Sequence, residues 1–288
     1  VDLAVTGRRS PTAAVTGALA PAAPPPPLRE GQPPLAILVD YDGTVAQTDV
    51  SDALMAEFVT DEWEARAAEY DAGLAGSRRL MAWEVGLITT PPAELRALAA
   101  AQPHDAGFAL LVHRARDAGI PVEVVSDGFG FFIPAALEAL GIGDVPVVSA
   151  DTTFPPGEHP RIAFPNGHPR CFVCGTCKRA RVQAHQAAGR AVVFVGDGES
   201  DRYAAGYADI VFAKHALVRL CVENGWPFRR WTEFTEIDSW LSGVIAAWRS
   251  DPESPLVPRP ASKPYFCGPE VWGEGLWDPP APAGRSGG

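Results

Sequence analysis

Residues Leu35-Ala36-Ile37-Leu38-Val39 form an unbroken apolar run that stops at an acid, Asp40. A strand that is apolar on both faces must be covered on both, which is the condition of a central strand in a parallel sheet layered between helices. Shorter apolar runs at Val122 to Val125, Val145 to Val148, Ala191 to Val195 and Asp209 to Phe212 supply neighbours for it. They alternate with helical patterns around Phe108 to Ala118, Phe132 to Leu140 and Lys178 to Ala188. This alternation predicts an α/β fold with a central sheet of about five parallel strands. Val218 to Val222 and Ile237 to Trp248 add helical surface, and the Pro- and Gly-rich passage Pro155 to Pro169 reads as loop or hairpin.

Between the first two strands, Ser51 to Gln102 turns helical and amphipathic, with Leu54, Met55 and Phe58 on one face and Leu80, Trp83 and Leu87 on another. A small helical insert is expected there. The boundaries that follow are a disordered Ala- and Pro-rich leader at 1–34, a core at 35–48 and 105–250, an insert at 49–104, and a Pro- and Gly-rich tail at 251–288. Trp272 and Trp277 in the tail are expected to cover an apolar patch or to lie disordered.

A chain of 288 residues, 47% hydrophobic and 20% charged, can bury a substantial core. Its formal net charge of -11 argues against a surface that neutralises nucleic acid or anionic lipid, since both need clustered Lys and Arg. No apolar run approaches the roughly 20 residues of a membrane-spanning helix. A small diffusible partner fits better, bound by a monomer or homodimer. Three of the five cysteines, Cys171, Cys174 and Cys177, fall together, a poor pattern for a secreted disulfide framework and a better one for a reducing, cytoplasmic setting. With His168 they recur every three residues, which suits either a tetrahedral zinc ion or ordinary buried and loop cysteines.

In open α/β sheets, ligands bind beyond the carboxyl ends of the strands, and four polar clusters stand there. Asp40-Tyr41-Asp42-Gly43-Thr44 follows the first strand, and alternation along an extended chain turns Asp40 and Asp42 to one side. Two carboxylates this close repel, so one holds its proton while the other stays charged unless a cation intervenes. Gly43 is expected to leave its backbone N–H open to an oxyanion; an Asp-Gly turn is the plainer reading. Ser126-Asp127-Gly128 follows the second strand and offers a hydroxyl and backbone N–H groups to phosphate oxygens. Lys178, at the start of a helix, can reach back as a point charge for phosphate. Gly196-Asp197-Gly198-Glu199-Ser200-Asp201 offers carboxylates that suit Mg2+.

The Asp-x-Asp-Gly-Thr, Ser, Lys and Gly-Asp-Gly-x-x-Asp series, spread over Leu35 to Trp248, resembles the motifs of haloacid dehalogenase superfamily phosphatases. The insert resembles the helical cap, of the C1 type, in the phosphoserine phosphatase-like branch, on a Rossmann-like core. Cys174-Gly175-Thr176-Cys177-Lys178 and Val211-Phe212-Ala213-Lys214 resemble the methionine-salvage phosphatases of that branch, which act on 2-hydroxy-3-keto-5-methylthiopentenyl-1-phosphate. The resemblance implies hydrolysis of a small phosphate monoester, with Asp40 as nucleophile and Asp42 as acid and base. Mg2+ would lie on the Asp40 carboxylate, the Asp42 carbonyl and Asp197, with Asp201 in support. Gly43, Thr44, Ser126, Asp127, Gly128 and Lys178 would surround the phosphoryl group. Asp49 corresponds by offset to a carboxylate that meets substrate, and Ser77 and Arg78 are further cap candidates. Many relatives carry Asn where this chain has Ser200, and superfamily dehalogenases lack an acid at the position of Asp42. A phosphotransferase or mutase, and a catalytically silent sensor of phosphorylated ligands, are the other readings of the same motifs.

Overall fold

The computed structural model of the chain describes residues 21–59, 63–72, 74–169, 171 and 173–253. The expectations for residues 1–20 and for the tail from 254, Trp272 and Trp277 included, lie outside them. Strands β1 (Leu35–Val39), β2 (Val122–Phe129), β3 (Val147–Thr153), β4 (Arg161–Ala163), β5 (Ala191–Gly196), β6 (Ile210–Ala213) and β7 (Arg229–Arg230) form one sheet. Its order is β4-β3-β2-β1-β5-β6-β7, parallel throughout except where β4 returns antiparallel to β3. Five strands are those expected. The other two are short edge strands without apolar runs: β4 comes from the Pro- and Gly-rich passage, and both residues of β7 are exposed arginines.

The apolar run of β1 is buried on both faces. Ile37, Val39, Val193 and Val195 pack with Phe108, Leu111, Phe234 and Ile237 of α5 (Gly107–Asp117) and α10 (Phe234–Ser250). Leu38, Val192 and Phe194 pack the other way, against Val182 of α7 (Lys178–Ala187) and Ala204 of α8 (Arg202–Ala205). Strand alternation therefore decides which helix covers which residue. α6 (Ile133–Ala139) and α9 (His215–Asn224) complete the two layers. Among the described residues, no helix is long and apolar enough to cross a membrane.

Between β1 and β2 lie α1 (Val50–Phe58), α2 (Trp63–Asp71), α3 (Ser77–Glu84) and α4 (Pro92–Ala101), the last of which packs on α6. The run Pro24 to Pro27, expected within a disordered leader, instead lies along the core. Arg190 Nη1 donates to Pro26 O at 2.6 Å, Arg181 Nη1 donates to Ala23 O at 2.7 Å, and Leu28 N donates to Ala188 O at 3.2 Å. Proline removes backbone donors but leaves carbonyls, and the arginines use those.

β1 sits between β2 on one side and β5 on the other, so the connections leave it in opposite directions. A crevice opens at such a switch point, beyond the carboxyl ends of the strands. Val39 pairs with Val195 there, which sets Asp40 and Asp197 at the same sheet edge.

Candidate active site

Asp40 continues the ladder of β1 by donating its N–H to Val195 O at 2.9 Å. The residue is 5% exposed. Asp40 Oδ1 accepts from Tyr41 N at 2.8 Å and lies 2.7 Å from Lys178 Nζ. Lys178, the first residue of α7, also lies 2.7 Å from Asp201 Oδ1 and donates to Ser200 Oγ at 2.9 Å. Burial works against its charge, but Asp201 and Asp40 outweigh that and hold the ammonium firmly protonated. The lysine expected to reach back to the sheet edge does so, as the centre of a buried triad with Asp40 and Asp201.

Asp40, Asp197 and Asp201 each present an oxygen within 4.8 Å of the others. Asp201 Oδ2 accepts from Asp197 N at 2.8 Å and Gly198 N at 3.0 Å, and Thr44 Oγ1 donates to Asp197 Oδ1 at 3.0 Å. Burial first, then the Asp201 carboxylate, raises the proton affinity of both Asp40 and Asp197. A hard divalent cation would relieve that repulsion, and an all-oxygen donor set suits Mg2+. Among the described residues, His168, Cys171, Cys174 and Cys177 line one pocket but do not form a group of this kind.

Gly43 has φ of 67°, and a Cβ on it would stand 2.3 Å from Asp197 Oδ2. Gly43→Ala should therefore push Asp197 out of the cluster as well as strain the turn. We expect on the order of a 10²-fold loss in kcat/KM, as for a misplaced catalytic group, with a higher Mg2+ requirement in titrations of activity. Unchanged metal dependence would remove this account of the glycine.

Asp42 Oδ1 accepts from Val50 N at 2.9 Å, at the start of α1. Burial, then the Asp49 carboxylate, raises its proton affinity well above that of an ordinary carboxyl, the state needed of a proton donor. The end of β2 approaches it closely, since a Cβ on Gly128 would lie 2.7 Å from Asp42 Oδ2. The strand register shifts between Val125 and Phe129, which lets Ser126-Asp127-Gly128 turn toward the crevice.

Several expected phosphate contacts are otherwise engaged. Gly43 N donates to Thr48 O at 3.0 Å, so it is not open to an oxyanion, and the Thr44 hydroxyl is committed to Asp197. Gly128 N donates to Ser126 Oγ at 3.0 Å. Asp127 accepts from Ser77 Oγ at 2.6 Å and from Thr176 N at 2.8 Å, tying α3 to the core, and burial pushes its carboxyl up to about 6. The Arg78 guanidinium lies 4.8 Å from the centre of the Phe164 ring, and the residue does not line the crevice. Asp49 does line it, while its side chain caps α1 through Asp52 N at 2.9 Å.

The crevice is a cavity of about 420 Å³, with Asp40, Asp42 and Asp197 at the sheet edge and Tyr70, Met81 and Glu84 from the insert. Ser51, His215, Tyr70 and Glu84 carry no signal in any sequence motif. His215 Nδ1 lies 3.5 Å from Asp197 Oδ2. Its position just past β6 was the available clue.

Residues 37–206 match the haloacid dehalogenase-like hydrolase family, and the chain belongs to it. The site and the relatives place it among the phosphatases of that fold. The chain is 29% identical over 219 residues to the 2-hydroxy-3-keto-5-methylthiopentenyl-1-phosphate phosphatase of Brevibacillus brevis, covering 73% of this chain and 96% of that one. A phosphoserine phosphatase solved as a phospho-aspartyl intermediate analogue has the same fold, with a TM-score of 0.55 and 17% identity over 73% of this chain and 99% of that one. So has a probable phosphoserine phosphatase from Vibrio cholerae, with a TM-score of 0.58 and 19% identity over 77% and 69% of the two chains.

Proposed function

We propose that the chain hydrolyses a small phosphate monoester in two steps through a phospho-aspartate at Asp40. The observation that carries this reading is the unequal setting of two acids two residues apart. Asp40 is paired at 2.7 Å with Lys178, while Asp42 has burial and then the Asp49 carboxylate raising its proton affinity. The Asp40 carboxylate attacks phosphorus, and the bond from phosphorus to the ester oxygen breaks. Asp42 gives its proton to the departing oxygen, then takes one from the water that cleaves the phospho-aspartate. Phosphate and the free alcohol result, and both acids return to their starting states.

Asp40, Asp197 and the Asp42 carbonyl would hold Mg2+, with Asp201 in support. Bound there, the ion supplies positive charge against the phosphoryl oxygens and the clustered carboxylates. Lys178 steadies Asp40, and the insert closes over the crevice to exclude water. An acid at Asp42 serves an oxygen leaving group that needs a proton, which a carbon-halogen substrate would not. The named activity of the Brevibacillus brevis relative makes the methionine-salvage enol phosphate one candidate; phosphoserine and phosphocholine-like esters are others.

Purified protein should release phosphate from an aryl phosphate in Mg2+, lose that activity in EDTA and regain it when Mg2+ is restored. Full turnover in chelator, or none with Mg2+, would overturn the scheme.

A further inference from the structure

A second cavity, of about 340 Å³, lies at the end of the sheet opposite the catalytic crevice. Gln32, Pro121 and Arg190 in its wall stand within three residues of the starts of β1, β2 and β5. The guanidinium-bearing residues Arg29, Arg116 and Arg190 line it, and no Asp or Glu does. In a chain of net charge -11, a concave wall of cations runs against the average of the surface. Arg190 is 2% exposed, and its Nε is buried without a hydrogen-bond partner. Its Nη1 and Nη2 donate to Pro26 O at 2.6 Å and Pro27 O at 3.4 Å, neutral acceptors that leave the charge unbalanced. Burial weakens its hold on the proton, and the field of Glu123 restores part of it. That carboxylate is already engaged, by Arg181 at 2.5 and 2.6 Å and by His185 at 3.1 Å. A guanidinium does not shed its proton in a protein, so Arg190 is a buried cation with no anion of its own. Arg29 is exposed at the rim, and Gln32 Oε1 accepts from its backbone N–H at 3.3 Å. Arg116 pairs with Asp144 at 2.6 Å. The carbonyls that end α5 are taken by the N–H groups of Ala118, Gly119 and Ile120, so they do not occupy the arginines.

We propose that this cavity is a second ligand site, which binds a small phosphorylated polyanion through Arg190 and Arg29. It stands apart from the phosphatase reading and does not depend on it. Arginine suits phosphate because its fork of N–H groups meets two oxygens at once. A neutral ligand could accept from Arg190 Nε but would leave its charge unanswered. A single negative charge answers one arginine, and a polyanion answers both. The volume is that of a small-molecule site, and the acidic surface around it disfavours nucleic acid. Pro26 and Pro27 belong to the same wall, so a ligand held by Arg190 also fastens the segment whose carbonyls that side chain already binds.

The test is calorimetric titration of the full chain with pyrophosphate and with inorganic phosphate, in EDTA and at fixed ionic strength. Without a divalent ion the acid-lined crevice repels both anions, so the titration reads the arginine site. One site per chain is expected, filled at least about tenfold more tightly by pyrophosphate than by phosphate, the scale of one further charge-assisted hydrogen bond. Arg29→Ala should weaken pyrophosphate by at least about tenfold, and Arg29→Glu should abolish its binding. The exposed Arg29 side chain lies far from the crevice, so both variants should keep the wild-type rate on an aryl phosphate and the wild-type Tm without ligand. Arg190→Gln should also abolish binding; should it not fold, the two Arg29 variants decide. No saturable binding at millimolar pyrophosphate overturns the proposal. So does phosphate binding as tight as pyrophosphate, or pyrophosphate binding that persists unchanged in Arg29→Glu, which would put the anion elsewhere.

Discussion

Asp40→Asn should cut phosphate release from an aryl phosphate by at least about 10⁴-fold, the scale on which loss of a nucleophile is felt. Asn keeps the size of the side chain and an oxygen for Tyr41 N, and Lys178 keeps Asp201, so the fold should survive. Asp42→Asn separates the two halves of the reaction. An aryl oxide leaves without a proton, so phosphoryl transfer to Asp40 should proceed, whereas the water that follows loses its base. Acid-quenched Asp42→Asn treated with radiolabelled aryl phosphate should therefore hold near-stoichiometric label that hydroxylamine removes, as an acyl phosphate does. The Asp40→Asn protein should hold none. Turnover in Asp40→Asn within about tenfold of wild type, or label in that variant, would place the nucleophile elsewhere.

The residues that make this test possible were legible because they follow long apolar runs. Leu35 to Val39 can only be a covered central strand, and Asp40 is where its cover ends. Helix and strand alternation likewise carries the order of the sheet interior. Edge strands escape such reading, since β4 and β7 are short and polar on a side that meets water. Backbone commitments escape it for another reason. That Gly43 N is taken by Thr48 O, or that Asp127 latches Ser77, depends on turns and on packing between distant segments. Glu84 stands at the end of an amphipathic helix, where a glutamate ordinarily faces solvent, and only the closure of the insert onto the core buries it.

Lys178→Met should destabilise the protein by about 3–5 kcal/mol, the cost of leaving buried carboxylates without their cation. For a domain of this size that is a fall in Tm of roughly 6–20 °C. The methylene stem is replaced almost atom for atom, so packing changes little and the loss reports charge. Its pH dependence has a definite sign. Asp40 binds its proton more tightly folded than unfolded, so its contribution to stability falls as pH rises above the ordinary carboxylate value. Lys178 opposes that rise, and removing it enlarges the loss. The gap in Tm between variant and wild type should accordingly be widest at neutral and alkaline pH and narrow on acidification. Mg2+ should narrow it too, because an ion that binds only the folded acid cluster stabilises the folded state by mass action. A variant that melts within about 2 °C of wild type, whatever the pH or Mg2+ concentration, would mean that Asp40 and Asp201 do not depend on the ammonium at 2.7 Å from each. The proton affinity of Asp40 would then have to be held down by another cation.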